Sequence, residues 1–148
     1  MDVKKWILII SLLTFSLSLC FTAFKIEDLG KIEDYKSYIL FLVGPISCLG
    51  GGILEFFIWT ANIWFFISII FSYKNSYLIS FVTGLIASVI SVSFFFWKEV
   101  LAAENGRMGR IYSLEIGYFL WVASILLVTF GSIYLCIKYK SNRTTPLF

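Results

Sequence analysis

Apolar residues run through this chain in long blocks, with the polar residues gathered between them. Lys4 and Lys5 precede a charge-free run from Trp6 to Phe24. As a helix rising ~1.5 Å per residue, that run is long enough to cross a hydrocarbon core of ~30 Å. It also resembles a secretory signal, and Leu17 to Cys20, LSLC, resembles a lipoprotein cleavage box. Leu19 is too bulky for the position before that cysteine, so the reading is a retained first helix over 6–24. Residues 25–37, KIEDLGKIEDYKS, repeat Lys-Ile-Glu-Asp with balanced charge and read as a solvated loop.

From Tyr38 to Tyr73 the sole charge is Glu55. A single helix over this stretch would be roughly 54 Å long, while two full spans need about 40 residues plus a turn. Gly44-Pro45 and Gly50-Gly51-Gly52 supply the break. They divide the stretch into a short interfacial or re-entrant segment, 38–49, and a span over 53–73. Glu55 then falls in the first turn of that span, at the positive end of the helix dipole and within reach of headgroup water. At mid-bilayer an acid would cost about 2.5–3.5 kcal/mol.

After the polar turn SYKNS, a span over 77–97 places Ser80, Gly84, Ala87, Ser88 and Ser91 at steps of three and four. Helices in lipid associate by close packing and hydrogen bonding, and a stripe of small side chains permits both. Phe81, Leu85, Val89 and Val92 lie on the other side. Residues 98–111, KEVLAAENGRMGRI, read as a short surface helix followed by an Asn105-Gly106 turn. A last span, 114–137, sets Gly117, Trp121, Ser124, Val128 and Gly131 on one face. The pattern predicts an all-α, polytopic membrane protein of four transmembrane helices plus the interfacial or re-entrant segment, in a single integral domain over 1–148.

Composition agrees with that reading. Hydrophobic residues make up 59% of the chain and charged residues 14%, against about 45–50% and about 25% in soluble domains. The net charge of +3 comes from Lys and Arg spread over termini and loops, so nucleic acid is not an expected partner. There is no histidine, which removes Ser-His-Asp and Cys-His catalysis and His-ligated zinc or haem. Cys20, Cys48 and Cys136 form no CxxC pair and read as packing residues. The five Trp, eight Tyr and 16 Phe fit an aromatic belt at span ends. Lys and Arg divide evenly between the two faces of a four-span arrangement. Acids neutralise the 25–37 and 98–111 loops, however, and Lys4 and Lys5 precede the first span, so both termini are expected on the cytoplasmic side of a bacterial inner membrane.

The polar residues expected to meet at the outward surface are Glu55, Asn62, Glu104, Arg107, Arg110 and Glu115. Glu55 and Asn62 are two helical turns apart on one face. They could form a pocket with Glu55 as a general base or cation ligand, but no nucleophile, metal set or phosphate loop accompanies them. An interhelical hydrogen bond, or an ion pair to Arg107 or Arg110, is the simpler reading. The expected helix-packing face comprises Ser80, Gly84, Ala87, Ser88 and Ser91 with Gly117, Trp121 and Ser124.

WTAN at Trp59 to Asn62, the Glu104-Asn105-Gly106 turn and GYFLWVAS at Gly117 to Ser124 together resemble an uncharacterised family of small bacterial four-span membrane proteins. The resemblance implies architecture and no activity. The function expected from the sequence is non-enzymatic: an accessory subunit or immunity-type protein working through contacts with lipid and with a membrane-protein partner or a second copy, with no cofactor. A small oligomeric channel or transporter is the second reading, and a membrane-interface enzyme using Glu55 and Asn62 the third.

Overall fold

The computed structural model describes residues 3–103 and 105–143, without the side chains of 140–143. In chain order the elements are α1 (Val3–Ser18), β1 (Thr22–Asp28), β2 (Lys31–Lys36), α2 (Ser37–Val43), a 3₁₀ segment (Gly44–Gly50) and α3 (Ile53–Trp59). Then come α4 (Ala61–Tyr73), α5 (Tyr77–Ser93), a 3₁₀ turn (Phe94–Phe96), β3 (Glu99–Leu101), β4 (Met108–Leu114) and α6 (Ile116–Arg143).

The all-α, four-span expectation is overturned in both parts. The chain is 69% helical but also 17% strand, in a four-stranded antiparallel sheet. Among the described residues, three helical stretches are long and apolar enough to cross a membrane: Ile53–Tyr73, Tyr77–Phe96 and Ile116–Tyr139. The first helix is the one that falls short. It stops at Ser18 after 16 residues, or roughly 24 Å, where a span needs about 20 residues. The oily residues beyond it lead into β1, a central strand that pairs with β2 on one side and β4 on the other. A strand bonded on both sides satisfies its backbone as fully as a helix does, and tertiary pairing overrides local pattern.

The two expected loops are hairpins. KIEDLGKIEDYKS folds about Leu29-Gly30, both at positive φ (48° and 74°), which is the backbone of a two-residue type I′ turn. The segment expected to hold a surface helix instead carries β3 and β4, paired from Glu99↔Arg110 to Leu101↔Met108. Sheet order is β2-β1-β4-β3, so the hairpins join through β1 and β4.

The helices form a bundle beneath the sheet, α5 packing against α4 and α6, and α1 along α6. Lys4 donates to the Tyr73 carbonyl at 3.3 Å and to Asn75 Oδ1 at 2.8 Å, and the Tyr77 and Tyr139 rings lie 5.0 Å apart. The start of α1, the α4–α5 turn and the C-terminal part of α6 therefore share the end opposite the sheet. α3 and α4 are nearly continuous, because Thr60 between them keeps helical angles (φ −59°, ψ −17°). The break before α3 falls at the glycines: the 3₁₀ segment ends at Gly50, and Gly51 takes φ +90°, a conformation that a side chain disfavours.

The expected packing face is buried, and its partners lie within the chain. Ser80 Oγ is 2.6 Å from Ser132 Oγ and donates to the Ser68 carbonyl at 2.8 Å. Ser88 Oγ is 3.1 Å from Thr129 Oγ1, and Tyr118 Oη donates to the Ser91 carbonyl at 3.0 Å. A Cβ at Gly84 would come within 2.6 Å of Thr129 Oγ1. Ala87 is fully buried. Ser124, also buried, donates to the Trp121 carbonyl, and its own carbonyl accepts from Ser11 of α1. Leu85, Val89 and Val92 on the outer side of α5 are exposed, as are Cys20 and Cys48.

Candidate functional site

Between the sheet and the bundle lies a chamber of about 590 Å³, within the range of about 300–1,000 Å³ for small-molecule sites. Its roof is the inner face of the sheet, where alternation turns Phe24 and Ile26 inward while Lys25 and Glu27 stay on the outside. Its side wall is the apolar stretch Ser37–Gly50, and the ends of α1, α3, α4 and α6 complete it. Aromatic rings dominate the lining. Phe24 stacks on Tyr35 at 5.1 Å and tilts against Phe94 at 5.2 Å, and Phe94 meets Tyr118 at 5.7 Å. Phe15 joins Phe41 at 5.6 Å.

Glu55, Trp59 and Asn62, at helical spacing along α3 and the start of α4, all line this chamber. Glu55 sits in the first turn of α3, and its Oε1 accepts the Leu101 backbone N–H at 2.7 Å. That bond pins short edge strand β3 to the helices. Gly52 fits beside the carboxylate because a Cβ there would lie 3.1 Å from Glu55 Oε2 and 3.2 Å from the Ser47 carbonyl. Trp59 Nε1 donates to the Phe41 carbonyl at 2.9 Å, tying the side wall to α3. Asn62 donates to the Trp59 carbonyl at 2.9 Å and accepts from Trp121 Nε1 at 2.8 Å. Gly117 and Trp121, expected to serve helix packing, are chamber residues as well. A Cβ on Gly117 would run into Ser37 Oγ and the Thr22 carbonyl, so β1, α2 and α6 meet there at close quarters.

The remaining members of the expected polar cluster stand elsewhere. Arg107 donates to Asp28 Oδ2 at 2.7 Å, clasping one hairpin to the other. Arg110 pairs across the sheet with Glu27 on β1 and Glu99 on β3. Glu115 accepts from Ser113 Oγ at 2.7 Å and lies 3.7 Å from Lys25 Nζ, which is also 3.8 Å from Asp34. These residues make a charge-balanced lattice on the sheet and at its edge, while Glu55 is bonded to a backbone amide. Glu104 lies outside the described residues.

Two features of the chamber escaped the sequence reading. Tyr35 is half-buried, and burial, then the charges of Glu33 and Asp28, raise its pKa above the usual 10.0. Ser37 Oγ is buried without a hydrogen-bond partner on a residue only 8% exposed. The Glu55 and Asn62 spacing pointed to a shared face, whereas nothing local distinguished Ser37 from other serines. Among the described residues no group of three or more His, Cys, Asp or Glu could hold a metal ion. Glu55 Oε1 and Asn62 are engaged as structural ties, so the chamber offers chiefly apolar contact, with the second oxygen of Glu55 on its wall. No protein-family model, curated protein or solved structure matches the chain, so the family resemblance gains no support.

Proposed function

We propose that this protein is a small, non-enzymatic integral membrane protein of a bacterial inner membrane. It is anchored by its three long apolar helices and recognises its partner through the sheet-covered end. The observation that carries this reading is that the small-residue stripe on α5 is occupied from within, by Ser68, Thr129 and Ser132. The stripe leaves nothing free for another membrane protein, so recognition falls to the hairpins and the chamber beneath them. The shorter α1 starts at the end of the bundle where α6 finishes and runs along α6 toward the sheet. With α1 lying inside the membrane beside the three longer helices, both chain ends are cytoplasmic and the sheet faces outward, consistent with Lys4 and Lys5 at one end and the charge-balanced sheet at the other. An accessory-subunit or immunity-type role fits this division. A channel through the single chain fits less well, because Ala61, Phe65, Ile125 and Val128 are fully buried within the bundle.

Photo-crosslinking amino acids placed in living cells test the reading. Discrete protein adducts are expected from the exposed sheet positions Ile32, Met108 and Tyr112. Adducts confined to Leu85 and Val89 on the outer face of α5 would defeat it. Impermeant thiol reagents applied outside the cell to a cysteine-free background should modify Lys31→Cys and spare Lys74→Cys.

A further inference from the structure

We infer that the end of the bundle opposite the sheet is a docking collar for the headgroups of anionic phospholipids, with Lys5, Lys74 and Lys138 as its cationic contacts. The first observation is that charge is segregated along the molecule. Among the described residues, the only acids off the sheet's strands are Glu115, one residue beyond β4, and Glu55, bonded to β3 through the Leu101 amide. The sheet holds its Lys and Arg close to those acids, as in Lys25 with Asp34 and Arg107 with Asp28. In sequence, the segments that lead to the other end carry Lys4, Lys5, Lys74, Lys138, Lys140 and Arg143 against Asp2 alone. Lys4 is engaged there by the Tyr73 carbonyl and Asn75. Lys5, Lys74 and Lys138 are exposed and have no ion-pair partner among the described residues. Like charges gathered at one end repel each other, and an external anion relieves that repulsion.

The second observation is where these lysines stand relative to the apolar helices. The long apolar stretches Ile53–Tyr73 and Ile116–Tyr139 both stop at this end. Lys74 follows the first directly, and Lys138 lies in the last turn of the second. One lysine comes from α1, one from the α4–α5 turn and one from α6, so the collar spreads across the end of the bundle. The third observation is an aromatic side chain beside each of them. Trp6 next to Lys5 is 51% exposed, and Tyr73 next to Lys74 is 71% exposed. Lys138 Nζ lies 5.9 Å from the centre of the Tyr134 ring. Rings with one apolar face and one polar tip sit at headgroup depth, where lysines reach the phosphates. A dissolved anion would meet the charges and leave these rings unused, whereas a lipid phosphate on an acyl tail engages both. Headgroups with a net negative charge are favoured over zwitterionic ones, whose own cation a lysine repels. The inference rests on the membrane anchoring of the proposed reading and not on its sheet-directed recognition.

The full-length protein in phosphatidylcholine bilayers tests this, with spin-labelled phosphatidylglycerol or spin-labelled phosphatidylcholine as the probe. The fraction of each probe immobilised at the protein surface gives their relative affinity. Phosphatidylglycerol should be preferred about three- to tenfold at low salt, less than three full surface charges would give, because exposed ammonium groups stay hydrated. The preference should shrink at about 0.5 M salt, where screening is short-ranged. Combining Lys5→Gln, Lys74→Gln and Lys138→Gln should bring the ratio close to one, and Lys138→Gln alone should lower it about twofold. Lys31→Gln with Lys98→Gln, at the sheet end, should leave it unchanged. All five side chains are exposed, and melting in detergent checks that the variants fold. Equal affinity for the two probes in the unaltered protein would overturn the inference, and a collar built for an acidic protein segment would give that result. So would a preference that survives the triple substitution, or one lost equally with the sheet-end pair. Loss of the preference on adding inorganic phosphate at constant ionic strength would assign the collar to a dissolved anion and overturn it too. Crosslinks from Ile32, Met108 and Tyr112 are read independently of these lysines, so this inference and the proposed recognition role fail separately.

Discussion

Serine behaves differently at the two ends of this molecule. In the bundle, Ser68, Ser80 and Ser132 share their hydroxyls at 3.1 and 2.6 Å, and Gly84 lets α6 approach until Thr129 would touch any added methyl. At the chamber, Ser37 is just as thoroughly enclosed but has no partner. The bundle was filled by choosing small side chains whose hydroxyls are bonded locally, with Ser72 on α4 the exception, which is how helices hold together in lipid. The chamber end is roofed by strands that stand off from the helices, tied down at a few points such as Glu55 to Leu101. Packing of the first kind stabilises the fold, and the second leaves open space beneath the sheet.

The sharpest way to break this contrast is to overfill the bundle. Gly84→Val would press a branched side chain into Thr129 and Ser68 and should cost about 3 kcal/mol, read as a large drop in melting temperature in detergent. Ser80→Ala takes the shared hydroxyl away from both neighbours and should cost about 1–2 kcal/mol in the same assay. At the other end, Glu55→Ala should cost about 1–2 kcal/mol. Its effect should be local, with faster hydrogen exchange at the Leu101 amide and little change in α5. Ser37→Ala, in protein stripped of lipid, should be neutral to stabilising by up to about 1 kcal/mol, because it removes a buried group without a partner. A loss equal to that of Ser80→Ala would erase the distinction between the two ends.

The gentlest test is alkaline pH. The pKa of Tyr35 is raised chiefly by burial, so the folded chain holds its proton longer than the unfolded one. Its contribution is fully present below the unfolded pKa of about 10 and is lost as pH rises through the folded value. The melting temperature should sag above pH 10, and less so in Tyr35→Phe.

The long apolar helices were legible because length and hydropathy alone define them. The expected 53–73, 77–97 and 114–137 lie close to Ile53–Tyr73, Tyr77–Phe96 and Ile116–Tyr139. Glu55 at the start of its helix was legible for a similarly local reason, the glycine break before it. The sheet was not. In the first hairpin the repeat of Lys-Ile-Glu-Asp about two central residues is a strand signal, but a type I′ turn usually announces itself with Asn-Gly or Asp-Gly, and here it is Leu29-Gly30. In the second, Ala102 and Ala103 are good helix formers, but β3 and β4 on either side of them pair, and β4 is held in turn by β1, far away in sequence. The same non-local pairing ended α1 early. The chamber depends on that roof, so it could not be inferred without the sheet, even though Glu55 and Asn62 on its wall had already been picked out.

The hairpin that follows α1 and the one that precedes α6 meet along β1 and β4 and through the Arg107–Asp28 ion pair. Contacts so distant along the chain form late. During synthesis, then, the ceiling of the chamber closes after the α4–α5 pair has been made and its second half has emerged. A nascent protein halted before Met108 lacks β4, so β1 would pair with β2 alone and the space beneath the sheet would stand open on that side.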